Sequence, residues 1–172
     1  MRKILLVIDM QNDFIDGALG SKEAVSIVPG VAERISEFDG EIIFTRDTHF
    51  DNYLSTSEGR KLPVKHCIKD SFGWQISSQL PIPSEARIVD KETFGSPKLA
   101  ELLLRENAER AITEIELVGL CTDICVISNA ILLKNYLPEC EIKVNSELCR
   151  GVTPRSHENA LAAMAACQIN VI

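Results

Sequence analysis

No stretch of this sequence is long and apolar enough to span a bilayer. Its longest hydrophobic runs are of strand length and carry charges at their edges. The opening Met1-Arg2-Lys3 followed by Ile4 to Ile8 imitates the charged and apolar parts of a signal peptide. The imitation fails because Asp9 ends the apolar run and no small-residue cleavage site follows. A cytoplasmic protein without membrane contact is expected. Positive charge is also in short supply. Eighteen Lys and Arg stand against 25 Asp and Glu, a net charge of −7, and the basic residues are scattered. Nucleic acid is therefore excluded as an expected partner, since phosphate binding needs grouped cations. No Cys-x-x-Cys pair occurs among Cys67, Cys121, Cys125, Cys140, Cys149 and Cys167. That argues against a disulfide scaffold, and Cys121 with Cys125 finds no second soft pair to complete a structural zinc site. Most of these thiols are expected to be buried.

What is present is ordinary globular composition: 45% apolar and 25% charged residues in 172 positions, enough for a real core and fitting one domain over 1–172. Strand-length apolar runs alternate with segments of helical period. Lys3 to Ile8 is apolar without alternation after its first residue, as suits a parallel strand covered on both faces. Val31, Ile35 and Phe38 share a helical face that Gly40 ends. Further strands are predicted at 41–45, 86–89, 111–120 and 141–144, with a sixth at 169–172. Helices are predicted from Pro97, from Thr122 to about Asn135, and from Thr153-Pro154 to Cys167. Arg46 to about Gly73 reads as a long loop. The fold class is therefore α/β, a three-layer α/β/α arrangement. Its Rossmann-like, mostly parallel sheet has five to six strands with helices on both faces.

Ligands in such sheets bind beyond the carboxyl ends of the strands, so chemistry is sought there. Four strand ends deliver Asp9, the Asp47-Thr48-His49 group, Lys91, and the segment Cys121 to Cys125 to one edge. Cys125 falls in the first turn after a strand-to-helix bend. Free N–H groups there favour a thiolate and could hold an oxyanion, although a cysteine taken alone reads first as a buried structural thiol. Asp9 is either a proton-transfer group with a raised pKa or a loop cap. Lys91 is either an anion partner or a snorkelling surface lysine. Asp47, His49 and His66, with Glu58 between them as a candidate fourth ligand, either bind a metal with open positions or are unconnected loop residues. Asp9-Met10-Gln11-Asn12-Asp13 contains no glycine, against the Gly-x-Gly-x-x-Gly of a non-catalytic nucleotide-binding domain, the rival reading from another class.

Three blocks resemble the signatures of the isochorismatase-like cysteine hydrolases: Ile-Asp-Met-Gln-Asn-Asp-Phe around Asp9, Lys-Glu-Thr-Phe-Gly-Ser from Lys91, and Gly-Leu-Cys-Thr-Asp-Ile-Cys-Val around Cys125. The likeness runs over essentially the whole chain. It implies a catalytic triad of Asp9, Lys91 and Cys125, a non-proline cis peptide at Leu120-Cys121, and an oxyanion hole made by the amides of Cys121 and Cys125. Arg46-Asp47-Thr48-His49 and Leu62-Pro63-Val64-Lys65-His66-Cys67-Ile68 resemble the metal-binding blocks of the nicotinamidase branch. That implies a divalent ion, zinc first and iron or manganese next, on Asp47, His49 and His66, with Glu58 as a further ligand. It also implies hydrolysis of a small carboxamide such as nicotinamide, and a homo-oligomer. The branch usually carries Trp as an aromatic wall where this chain has Leu62. Phe14, Phe94 or Trp74 is expected to supply the stacking instead, with Phe14, Leu62 and Phe94 as substrate contacts. A metal-free amidohydrolase of the same family, acting on a carbamoyl or ureido compound, is the nearest alternative.

Overall fold

The computed structural model describes all residues from Met1 to Ile172. Six strands form one sheet, every neighbouring pair parallel, in the order β3-β2-β1-β4-β5-β6. They are β1 (Arg2–Ile8), β2 (Glu41–Asp47), β3 (Arg87–Lys91), β4 (Ile112–Leu120), β5 (Glu141–Arg150) and β6 (Asn170–Val171). The order runs outward in both directions from β1 and β4, which places the topological switch between those two strands.

Helices cover both faces. On one side, α2 (Lys22–Glu37) buries Ala24, Ile27, Val28, Val31 and Ile35 against Leu5 and Val7 of β1 and Val118 of β4, helped by Ile15 of the short α1 (Asn12–Ile15). On the other side lie α4 (Pro97–Glu109), α5 (Ile127–Tyr136) and α6 (Pro154–Ala166). Through Leu99, Leu103, Ala130, Leu133, Leu161 and Met164 they meet Ile4, Leu6 and Ile8 of β1 and Ile115 and Leu117 of β4. Alternate residues of β1 thus feed opposite cores, which is why its sequence is apolar throughout. Caps fix the helix starts. The Ser21, Ser96 and Thr153 side chains accept from Ala24, Leu99 and Ser156 N–H, and prolines occupy the first turn of α4 and α6.

Four sequence expectations shift. The stretch expected as one long loop after β2 holds a 3₁₀ turn (Tyr53–Ser55) and α3 (Ser57–Lys61), capped by the Thr56 side chain. β5 continues to Arg150 rather than stopping near Val144. Its polar middle interrupts the register with β4, and pairing resumes at Gly119↔Cys149 and Leu120↔Arg150. The helix expected from Thr122 opens as a π turn (Thr122–Val126), with Val126 N–H donating to the Cys121 carbonyl, before α5 begins. The helix carrying Val31 and Ile35 starts at Lys22, continues past the exposed Pro29 and ends at Glu37, so that Phe38 is its C-cap and not its last turn.

Gly119 is required where it stands. Its φ is +118°, and a Cβ there would come within 2.1 Å of the Ile8 carbonyl oxygen, so β4 closes against the end of β1 only with glycine.

Candidate active site

The carboxyl ends of β1, β2 and β3 set three polar groups side by side. The register pairs Asp47 with Lys91 on adjacent strands. Thr45, two residues before Asp47, points to the same face. Asp9 follows β1 in a left-handed conformation, φ +48°, which aspartate tolerates better than most residues. Its carboxylate is fully buried. Thr45 Oγ1 donates to Asp9 Oδ1 at 2.6 Å, and Lys91 Nζ lies 2.6 Å from Asp9 Oδ2. The same ammonium is 3.4 Å from Cys125 Sγ and 3.4 Å from Asp47 Oδ1. Residues 9, 91 and 125, far apart in the chain, therefore meet around one buried nitrogen. Lys91 is 3% exposed, which excludes the snorkelling alternative.

The electrostatics follow from burial and proximity. Burial raises the Asp9 carboxyl, and the nearby Asp47 charge adds to the effect against the pull of Lys91. Burial alone would lower Lys91, but Asp9, Cys125 and Asp47 around it raise it instead, so it stays an ammonium. Cys125 departs from the sequence expectation of a lowered pKa. Burial first, then the Asp9 carboxylate, push its thiol well above the ordinary range, and Lys91 only partly offsets them. The helix terminus offers only a local dipole. Desolvation and a carboxylate brought from another strand outweigh it.

The expected cis linkage is found at Leu120-Cys121. No backbone acceptor meets the Cys121 amide. Burial, with Asp123 and Asp9 nearby, pushes the Cys121 thiol up to about 12, so that side chain stays neutral.

Beside this centre, Asp47, His49, Glu58 and His66 bring four ligand atoms within 4.8 Å of one another. His49 Nε2 is 2.9 Å from Asp47 Oδ2 and 3.5 Å from Glu58 Oε1; His66 Nε2 is 3.6 and 3.8 Å from the same two oxygens. His49 Nε2 is buried without a hydrogen-bond partner in line. His66 Nδ1 faces the Val64 carbonyl at 2.8 Å, which holds the proton on that nitrogen and leaves Nε2 free to coordinate. Two imidazoles and two carboxylates in this geometry suit a divalent ion. Tyr53, fully buried, packs its ring 4.5 Å from that of His49 and 5.0 Å from that of His66.

A cavity of about 710 Å³ opens over both groups. Asp47, Glu58 and His66 line one side, and Cys121 and Cys125 another. Phe14, Leu62 and Phe94, all three expected as contacts, lie on its wall with Ile124 and Val152. Trp74 does not. Its indole Nε1 donates to Thr48 Oγ1 at 2.9 Å, and its ring lies under the Arg46 guanidinium at 3.5 Å, so it braces the strand end and stacks on no ligand. A second depression of about 750 Å³, beside β5 and α6, contains none of the candidate side chains.

Sequence reasoning missed Thr45, Asn129 and Gln11. The Gln11 side chain bonds the Asp47 backbone twice, accepting its N–H at 2.7 Å and donating to its carbonyl at 2.9 Å. None of these is marked by local sequence. Only the register of β2 against β1 and β3 shows what they face.

The isochorismatase domain profile matches residues 3–172. A pyrazinamidase of Pyrococcus horikoshii, solved in complex with zinc, is 28% identical and superposes with a TM-score of 0.86 over 100% of this chain and 99% of that one. A nicotinamidase/pyrazinamidase of Mycobacterium tuberculosis is 24% identical over 99% of this chain and 98% of its own length. An N-carbamoylsarcosine amidase of Thermoplasma acidophilum, 21% identical with a TM-score of 0.80 over 99% of this chain and 95% of that one, shares the fold.

Proposed function

The chain belongs to the isochorismatase family, and from that premise we propose that it hydrolyses a small carboxamide, nicotinamide first among them, through a thioester on Cys125. One observation carries this reading: the buried Lys91 ammonium touches Asp9, Cys125 and Asp47 at once, and Cys125 and Asp47 line a cavity with room for a ring-bearing amide.

The reaction balances with this chain's own groups. Asp9, raised by burial, takes the thiol proton of Cys125 as sulfur attacks the carbonyl carbon. The amides of Cys121 and Cys125 hold the resulting oxyanion. Lys91 keeps Asp9 in place and offsets negative charge as it moves between carboxylate and sulfur. The carbon–nitrogen bond breaks with the proton passing from Asp9 to the departing ammonia. Water then gives a proton to Asp9 and its oxygen to the thioester carbonyl, releasing the acid and restoring the thiol. Raised pKa values on both Asp9 and Cys125 fit a thiol that stays protonated until substrate is in place.

Asp47, His49 and His66, with Glu58, would hold a divalent ion, zinc being the first candidate, and such an ion would supply a Lewis acid at that end of the cavity. The protein's own part is orientation: the ligand cluster and Cys125 lie on different walls of one cavity, so a substrate tethered at one end presents its amide at the other.

A second reading rests on Leu62. This aliphatic wall suits a carbamoyl or ureido substrate that needs no stacking and no metal. Ammonia release separates the readings. Nicotinamide should yield ammonia, chelator should suppress it, and Cys125→Ala should abolish it with the fold intact. Normal turnover by Cys125→Ala would refute the mechanism. Full activity on ureido compounds in the presence of chelator, without activity on nicotinamide, would favour the second reading.

A further inference from the structure

Asn129 stands on α5 one turn beyond Cys125 and is 1% exposed. Its amide joins three separate pieces of the site. Nδ2 donates to the Cys125 carbonyl at 2.8 Å and to the Phe94 carbonyl at 3.0 Å, while Oδ1 accepts the Ser96 N–H at 3.0 Å. Both amide hydrogens are used. The segment from Phe94 to Ser96 links β3, which ends at Lys91, to α4. Gly95 within it lies directly on α5: a Cβ there would be 3.0 Å from the Ser128 carbonyl oxygen. One side chain and one close backbone approach therefore dock this loop on the helix that follows the Cys125 turn. The Phe94 ring lines the cavity yet is 45% exposed, so its own packing holds it weakly and the backbone anchor matters more.

From this the geometry points to Asn129 as a positioning residue that registers the Phe94 wall against the Cys125 sulfur, and so selects amides bearing a ring. The inference rests on the amidase reading for its biological meaning, though not for its test. An aliphatic residue at 129 would strand two carbonyls and one N–H that the amide now satisfies, and would free the loop to drift. Drift of the order of an ångström between wall and nucleophile costs about 10²-fold where the reacting geometry is tight.

The test compares two thiol reagents at Cys125, iodoacetamide and its N-phenyl derivative, with modification followed at the Cys125 peptide by mass. Wild type should prefer the aromatic reagent. Asn129→Ala and Phe94→Ala should each erase about tenfold of that preference, and the double variant should lose no more than either alone, since both act on one wall. Retained preference in Asn129→Ala, additive losses, or no preference in wild type would overturn the proposal. Should Asn129→Ala fail to fold, Gly95→Ala keeps Asn129 and lifts the loop off the Ser128 backbone; it should show the same loss, and an unchanged preference there would overturn the proposal equally. The KM for nicotinamide should rise in these variants more than kcat falls. A wild type that shows the alkylation preference but releases ammonia from no amide would sink the amidase reading and leave the positioning role standing.

Discussion

Asp47 divides its carboxylate between Lys91 and the histidine cluster: Oδ1 lies 3.4 Å from Lys91 Nζ, and Oδ2 lies 2.9 Å from His49 Nε2. One side chain thus belongs to both the acid–thiol centre and the candidate metal centre. Burial works against its charge, but the neighbouring His49 and His66 and the Lys91 charge hold its carboxyl far below the usual range. It is an anion at any working pH.

Asp47→Asn should therefore damage two properties together. Metal content measured by emission spectroscopy should fall, and amide turnover should fall with it. Restoring metal by adding excess zinc should recover only part of the activity, because Lys91 also loses a charge partner. Full recovery with excess zinc would show that the Lys91 contact contributes nothing to turnover.

A second expectation concerns the amino ends of β1, β2 and β3. Arg2, 8% exposed, donates to Glu41 at 2.7 Å and to Glu106 at 2.5 Å, and Arg87 donates to Glu106 at 2.6 Å. The Arg2 bonds hold the Glu41 carboxyl below its ordinary value, and Arg87 and Arg2 do the same for Glu106 against its partial burial. A carboxyl lowered in the folded state adds stability above its unfolded pKa and loses it as pH falls through the folded one. Melting temperature should thus drop between about pH 5 and pH 3, where unfolded glutamates take up protons first. Glu106→Gln should flatten that drop without altering turnover, since the network lies at the opposite end of the strands from the cavity. An equally steep drop in the variant would place the acid sensitivity elsewhere.

The third concerns Glu116, 1% exposed on β4, which receives two bonds from the Arg34 guanidinium of α2 and one from Asn145. Arg34→Ala would leave a buried carboxylate without its cation, a loss of about 3–5 kcal/mol for a buried pair and less here, because Arg34 is partly exposed. Arg34→Ala with Glu116→Leu together should be more stable than Arg34→Ala alone. Urea midpoints would check the order, and a double variant no better than the single would show that the charge is not the cause.

These residues also mark how much could be read from sequence. The succession of strands along the chain followed from apolar runs between helical segments, while their order in the sheet did not. Asp9, Lys91, Cys125, Asp47, His49 and His66 were findable because each stands at or just after a strand end or in the neighbouring loop. Their partners were not. Thr45 and Gln11 serve Asp9 and Asp47 from 36 positions away, and Asn129 serves Phe94 from 35, distances bridged only by sheet register and helix docking. Glu114 and Glu116 give β4 a partly alternating pattern, yet Glu116 is buried, because Arg34 arrives from another element. The rise in the Cys125 pKa escaped for the same reason as Thr45: its causes are burial and a carboxylate from another strand.

Glu58 offers the sharpest division between a structural acid and a metal ligand. It sits in the first turn of α3, where the helix dipole and the free N–H groups favour its charge whether or not an ion is present. Its Oε1 nevertheless points at both histidines, 3.5 Å from His49 Nε2 and 3.8 Å from His66 Nε2. Glu58→Gln keeps the shape and the first-turn position and removes the charge. If Glu58 acts only on α3, the variant should lose a little thermal stability and bind zinc as tightly as wild type. If it completes the ligand set, zinc affinity by competition with a chromogenic chelator should fall about 10–100-fold, while His66→Ala, which deletes a nitrogen donor outright, should fall further. These distances favour the second outcome, since a carboxylate serving the helix alone would have no cause to face two imidazole nitrogens. Unchanged affinity in Glu58→Gln would reduce the site to Asp47, His49 and His66, with its remaining coordination positions left to water and substrate.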